Sequence, residues 1–249
     1  MTKTLPKTEL IYPHADFVDE LSTSNAIKLM IDDQINGLNE IYNNLENLVL
    51  IVENMYDHLK KYNGRIVYCG AGTSGRIGVQ DGVELYPTFG WPLNKIDFLL
   101  AGGNASLLKS IERAEDNSKI ARKNFFEKNI SEKDVVIGLA ASGNTNYTLT
   151  ILKEAFNQNA FTIAISNNPS GKILKFGKYK IILNTKQEII AGSTRLKAGT
   201  TQKVCLNIIS SMVMIKMGKV KKGQMINLIP TNKKLINRKK IINNFFKIN

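Results

Sequence analysis

Two glutamates and two turns rich in glycine and hydroxyl side chains are the residues whose types and spacing suit them to chemistry. Glu84 stands in Gln80-Asp-Gly-Val-Glu-Leu-Tyr-Pro87, and Glu115 in Ile111-Glu-Arg-Ala-Glu-Asp116. Paired carboxyl groups can divide general base and general acid work, and Val83, Leu85 and Tyr86 are the apolar company that raises a carboxyl pKa and keeps it protonated at neutral pH. Taken singly, a glutamate near a helix end is more often a cap or a solvated charge. The turns are Gly70-Ala-Gly-Thr-Ser-Gly-Arg76 and Ala140-Ala-Ser-Gly-Asn-Thr145. Each follows an apolar run and precedes a helical pattern, so unpaired backbone N–H groups, a helix dipole and hydroxyls converge as an anion seat. Phosphate is the expected occupant, with Thr73, Ser74, Gly75, Ser142 and Thr145 as its contacts. No Walker lysine follows the first turn, so phosphoryl transfer is not expected. The turn is not read as a dinucleotide fingerprint, and no cofactor is expected.

A third polar stretch, Ala191-Gly-Ser-Thr-Arg-Leu-Lys-Ala-Gly-Thr200, precedes a long apolar-periodic helix that Ser193 or Thr194 can cap. Arg195 and Lys197 fall in its first turn, where the dipole disfavours cations. Either a nearby anion or an exposed surface accounts for them.

The elements that must position these residues follow from periodicity. Pro6 and Pro13 mark residues 1–20 as an extended arm. A short helix is expected over 26–31 and a long amphipathic one over 34–61, whose apolar stripe must pack on a core or on a partner subunit. Strands are expected at 65–69, 95–100, 134–140, 161–166 and 178–183. Helical segments fall at 77–85, 105–114, 118–129, 145–157 and 171–176, followed by helices at 196–217 and 235–246. Apolar strands alternating with crossover helices give an α/β three-layer sandwich on a five-stranded parallel sheet of flavodoxin-like order, which binds ligands at the carboxyl ends of its strands. The organisation expected is an N-terminal arm with helices (1–62), a sheet domain (63–220) and a basic C-terminal tail (221–249).

The net charge of +13 is uneven: 13 of the 34 Lys and Arg lie after Glu188, the last acidic residue, while the first 188 residues balance 21 basic against 21 acidic. Aromatic residues in the tail are confined to Phe245 and Phe246, and no nucleic-acid module is recognisable, so a solvated basic face is the simpler reading. No apolar run is long enough to span a bilayer, and the N-terminus has no export signal, so a cytoplasmic protein without membrane contact is expected. Cys69 and Cys205 lie in apolar patterns and His14 and His58 are far apart, so no metal is expected.

Five segments in register carry a resemblance: Gly70–Gly78 with Glu84, Pro87–Gly90, Ala101–Gly103 with Ala114–Asp116, Ala140–Gly143, and Gly192–Thr200 with Gln202 and Lys203. Together they resemble the N-acetylmuramic acid 6-phosphate etherases, members of the sugar isomerase (SIS) domain class that also includes the glucokinase regulatory protein. The match runs from about Thr8 to Arg238. The resemblance implies a cofactor-independent lyase that cleaves the D-lactyl ether at C3 with water, giving N-acetylglucosamine 6-phosphate and D-lactate. By family position Glu84 is the acid that protonates departing lactate and Glu115 the base at C2. Thr73, Ser74, Ser142 and Thr145 hold the phosphate, while Arg76, Asn144, Arg195 and Lys197 are further substrate contacts. A homodimer with sites near its interface is implied as well. Three departures stand out: Asn144 where the family usually has Arg, Gly82 in Asp81-Gly-Val-Glu84, and an end at Asn249 where the family continues as a helical module. A sugar-phosphate isomerase or a non-catalytic sugar-phosphate sensor is the alternative within this fold.

Overall fold

A computed structural model describes residues 6–12 and 17–248; the expected arm lies partly outside that range, as does His14. Five parallel strands, β1 (Ile66–Gly70), β2 (Ile96–Leu100), β3 (Val135–Ala140), β4 (Phe161–Ser166) and β5 (Tyr179–Ile182), form one sheet in the order β2-β1-β3-β4-β5. This is the flavodoxin-like order that the alternation of strands and helices predicts. Alternate strand residues face opposite layers. Ile66, Tyr68, Val135, Ile137, Leu139, Ile163 and Ile165 join a core under helices α2 (Leu45–Tyr62), α3 (Gly72–Phe89) and α6 (Lys197–Lys216). Val67, Cys69, Val136, Ala140 and Ala164 join the core under α4 (Ser118–Glu127) and α5 (Asn146–Asn157). Helix α1 (Thr23–Tyr42) lies against α6, and after a two-strand hairpin (β6, Val220–Lys221; β7, Gln224–Met225) the chain ends in α7 (Lys233–Ile248).

The long helix expected over 34–61 is two helices, broken at Asn43 and Asn44. The Asn44 amide donates to the carbonyl of Ile182 (2.9 Å) and accepts from its N–H (3.3 Å), so one side chain satisfies open backbone groups on the edge strand β5. The apolar stripe divides accordingly: Leu48, Ile51, Met55 and Leu59 are buried in the core, while Ile35, Leu45 and Val49 stay exposed.

Helix α3 begins five residues earlier than the periodicity suggests and runs through Pro87 to Gly90, which ends it in the left-handed conformation. Gly82 costs helix propensity, yet a Cβ there would come within 2.6 Å of the Phe98 ring and 2.9 Å of Tyr68, so close packing requires it. The helix expected over 105–114 is instead two 3₁₀ turns, Gly103–Leu107 and Ala114–Asp116. Positive φ at Gly102, Gly103 and Arg113 prevents a continuous helix there.

Candidate functional site

The two glycine turns end adjacent strands. Gly70 closes β1 and pairs in register with Leu139 of β3. From these strands the chain departs to opposite layers, through α3 on one face and α5 on the other. A doubly wound sheet opens its crevice at such a switch point. Here the crevice is a cavity of about 380 Å³ lined by Thr73, Ser74, Ser142, Asn144, Thr145 and Glu115, among others. Neither α3 nor α5 carries a side-chain cap, so their first N–H groups lack intrahelical acceptors where the helices meet this cavity.

Glycine shapes the first turn for two reasons. Gly72 has φ +52°, which favours a residue without Cβ, and a Cβ on Gly75 would overlap Leu100 Cδ1 and come within 2.9 Å of the Gly70 carbonyl carbon. Gly75 therefore lets the helix start sit directly on the strand end.

Glu115 reaches the cavity from the second 3₁₀ turn. Arg76 is turned away from the cavity: its Nε donates to the Ser106 carbonyl at 2.8 Å and an Nη to that of Lys109 at 3.4 Å. It holds the loop that leads to Glu115, and Arg76 is not among the residues that line the cavity. Asn144 does line the cavity, and its Oδ1 accepts from the Lys172 N–H at 3.3 Å.

Glu84 lies elsewhere. It is exposed on α3, ten residues beyond Ser74, about 15 Å along the helix axis. It faces a separate groove of about 810 Å³, shared with Pro87, Thr88, Lys234 and Arg238. Its sequence neighbours do not enclose it, because Leu85 turns into the core and Val83 is exposed; the apolar side chains of its groove are Pro87, Met225, Leu235 and Ile241.

Lys197 is 5% exposed, and its Nζ pairs with Asp33 at 2.7 Å. The anion that accounts for this cation in a first helical turn belongs to the protein, and Lys197 does not line the cavity at the turns. Arg195 is exposed and does not line it either. The α6 cap is also not the expected Ser193 or Thr194. Glu188 accepts from the Lys197 and Ala198 N–H groups at 3.0 and 2.8 Å. Burial pushes the Glu188 carboxyl above its ordinary pKa, against the pull of those two N–H groups and of Lys197.

Glu9, Asp116 and Thr194 also line the cavity at the turns, and the sequence pattern does not single them out as site residues. Glu9 belongs to the arm, which has no periodicity to reveal it. The tertiary hydrogen bond from the Gly192 N–H to the Thr8 carbonyl (3.2 Å) brings that arm over the site.

Although the first turn is not read above as a dinucleotide fingerprint, Gly70, Gly72 and Gly75 do have its glycine spacing. What is missing is the acidic residue at the end of the second strand, where β2 runs out as Leu99-Leu-Ala-Gly-Gly103.

Comparison with known proteins agrees with this architecture. The model of the glucokinase regulatory protein N-terminal SIS domain matches residues 47–156, and that of the SIS domain matches residues 121–210. Among solved structures, a phosphoheptose isomerase from Francisella tularensis superposes with a TM-score of 0.62 at 16% identity, over 78% of this chain and all of that one. A phosphosugar isomerase involved in capsule formation from Bacteroides fragilis gives a TM-score of 0.61 at 17% identity, over 81% and 95% of the two chains. These identities speak for the fold alone. Other relatives are nearer in sequence. The N-acetylmuramic acid 6-phosphate etherase of Francisella philomiragia is 43% identical over 235 residues, 94% of this chain and 80% of that protein. The Clostridium acetobutylicum etherase is 41% identical over 231 residues, covering 93% and 76%. With the shared fold, the crevice at its switch point and this extent of identity, the chain belongs to the N-acetylmuramic acid 6-phosphate etherase family.

Proposed function

We propose that this protein is a carbon–oxygen lyase that cleaves the D-lactyl ether of N-acetylmuramic acid 6-phosphate with water, yielding N-acetylglucosamine 6-phosphate and D-lactate. The observation that carries this reading is identity above 40% with named etherases across more than nine-tenths of the chain. A sugar-phosphate sensor or isomerase of this fold has no comparable support.

In the proposed cycle the phosphate sits against the α3 and α5 N-termini, held by Thr73, Ser74, Ser142 and Thr145, while Gly75 allows the close approach. In the open-chain aldehyde the C2 proton is acidic, and Glu115 removes it. Lactate leaves from C3 with a proton from Glu84, and water adds to the unsaturated aldehyde at C3. Each proton transfer contributes roughly 10²–10⁴-fold.

C2 and C3 are bonded to each other, so base and acid must meet around one sugar. Within one chain they line different cavities. We therefore assign the acid to Glu84 of a second copy, in a homodimer acting in the cytoplasm. Support for an interface comes from the exposed apolar side chains of Tyr42, Leu45, Val49 and Met212 around a groove of about 510 Å³. Incubation with N-acetylmuramic acid 6-phosphate and an assay for D-lactate tests the reading. Tight binding of another sugar phosphate without lactate release would favour a sensor.

A further inference from the structure

The groove around Glu84 contains two cations that the reaction scheme leaves unused. Lys234 and Arg238 are four residues apart on α7, and so lie one above the other on a single helix face. That face forms one wall of the groove, and Glu84, Pro87 and Thr88 of α3 form the other. The Arg238 guanidinium is oriented by a 2.8 Å hydrogen bond to Gln224 Oε1 on the hairpin before α7. The basic tail thus converges on the carboxyl group proposed as the acid.

We propose that Lys234 and Arg238 bind the carboxylate of the lactyl group and so select ethers that carry one. This rests on the etherase reading and gives its substrate's second charge a location. The acid must reach the ether oxygen, and the lactyl carboxylate is joined to that oxygen through a single carbon. Covalent geometry keeps the carboxylate carbon about 2.5 Å from the oxygen being protonated. Any group that holds the carboxylate must therefore share a cavity with the acid. In the proposed cycle the helix N-termini and hydroxyls of the crevice at the two turns are taken by the phosphate; its other charged lining residues are Glu9, Glu115 and Asp116, and, among the described residues, no Lys or Arg lines it to hold a second anion. The α7 wall has the matching charge, and a guanidinium offers the planar fork that a carboxylate accepts. Departure of D-lactate also removes the negative charge that these cations hold, so the product sugar phosphate keeps only its attachment at the turns.

The test compares N-acetylmuramic acid 6-phosphate with its lactamide, which has the same shape but no carboxylate. The wild-type protein is expected to favour the acid by ~10-fold or more in kcat/KM, the scale of hydrogen bonds to a charged group. In Arg238→Gln and Lys234→Gln, and most fully in the double variant, that ratio should collapse toward one. A variant that merely folds poorly lowers both rates together and leaves the ratio intact, so an intact ratio overturns the proposal. A wild-type enzyme that cleaves both ethers equally well also overturns it while leaving the lyase assignment standing. If the wild type cleaves neither, the lyase reading fails and takes this assignment with it.

Discussion

Glu84 and Glu115 divide the proposed reaction into separable halves. In deuterated water, Glu84→Gln should still exchange the C2 proton of the substrate while releasing lactate roughly 10²–10⁴-fold more slowly, whereas Glu115→Gln should lose both activities. NMR of the sugar with a coupled lactate assay reads the two steps, and the reverse pattern would exchange the roles. Gly75 makes a prediction of a different kind. Gly75→Ala forces a methyl against Leu100 and the Gly70 backbone, which should destabilise the fold by about 1–3 kcal/mol in urea titration and widen the crevice. At this scale the sequence is informative where chemistry depends on local strings, as in the two turns. It is uninformative where side chains answer to distant partners. Lys197 resembles a substrate contact because its partner Asp33 lies 164 positions away in sequence, and the bond from Arg76 to the Ser106 carbonyl spans 30 positions that no local string reveals.

The elements that carry the site are tied at the opposite end of the sheet by Asp134. Its carboxylate accepts from Arg65 Nε at 3.1 Å, Arg65 Nη at 2.9 Å and the Arg65 backbone N–H at 3.0 Å, which joins the segments entering β1 and β3. Burial alone would raise the Asp134 pKa, but Arg65 and the Ser131 N–H outweigh it and hold the carboxyl below its usual value. A depressed folded-state pKa contributes stability above the ordinary carboxylate range, and that stability disappears as pH falls through the folded value. Asp134→Asn should therefore cost about 1.5–3 kcal/mol at pH 7, with the gap to wild type narrowing below about pH 4. Urea midpoints across that range measure it; a gap that does not depend on pH would contradict the pairing. Strand and helix order is legible because buried parallel strands read as apolar runs. Boundaries are obscured where one side chain or a strained residue decides them, as Asn44 does between α1 and α2 and Arg113 before Glu115.

For the whole molecule, the separation of Glu84 from Glu115 makes the proposed active unit larger than one chain. Mixing Glu84→Gln with Glu115→Gln under conditions that exchange subunits should restore about a quarter of wild-type activity, since half the dimers are mixed and each has one intact site. Recovery no greater than the sum of the separate variants would mean that both carboxyls act within one chain. The family and its fold are readable from sequence strings, but the distance between the two glutamates emerges only when α3 is seen to run away from the crevice. The most direct measurement of the central claim uses water enriched in the heavy oxygen isotope. Elimination followed by hydration predicts D-lactate that retains the unlabelled ether oxygen and N-acetylglucosamine 6-phosphate labelled at C3. Label in the lactate, or no lactate at all, would contradict the assignment.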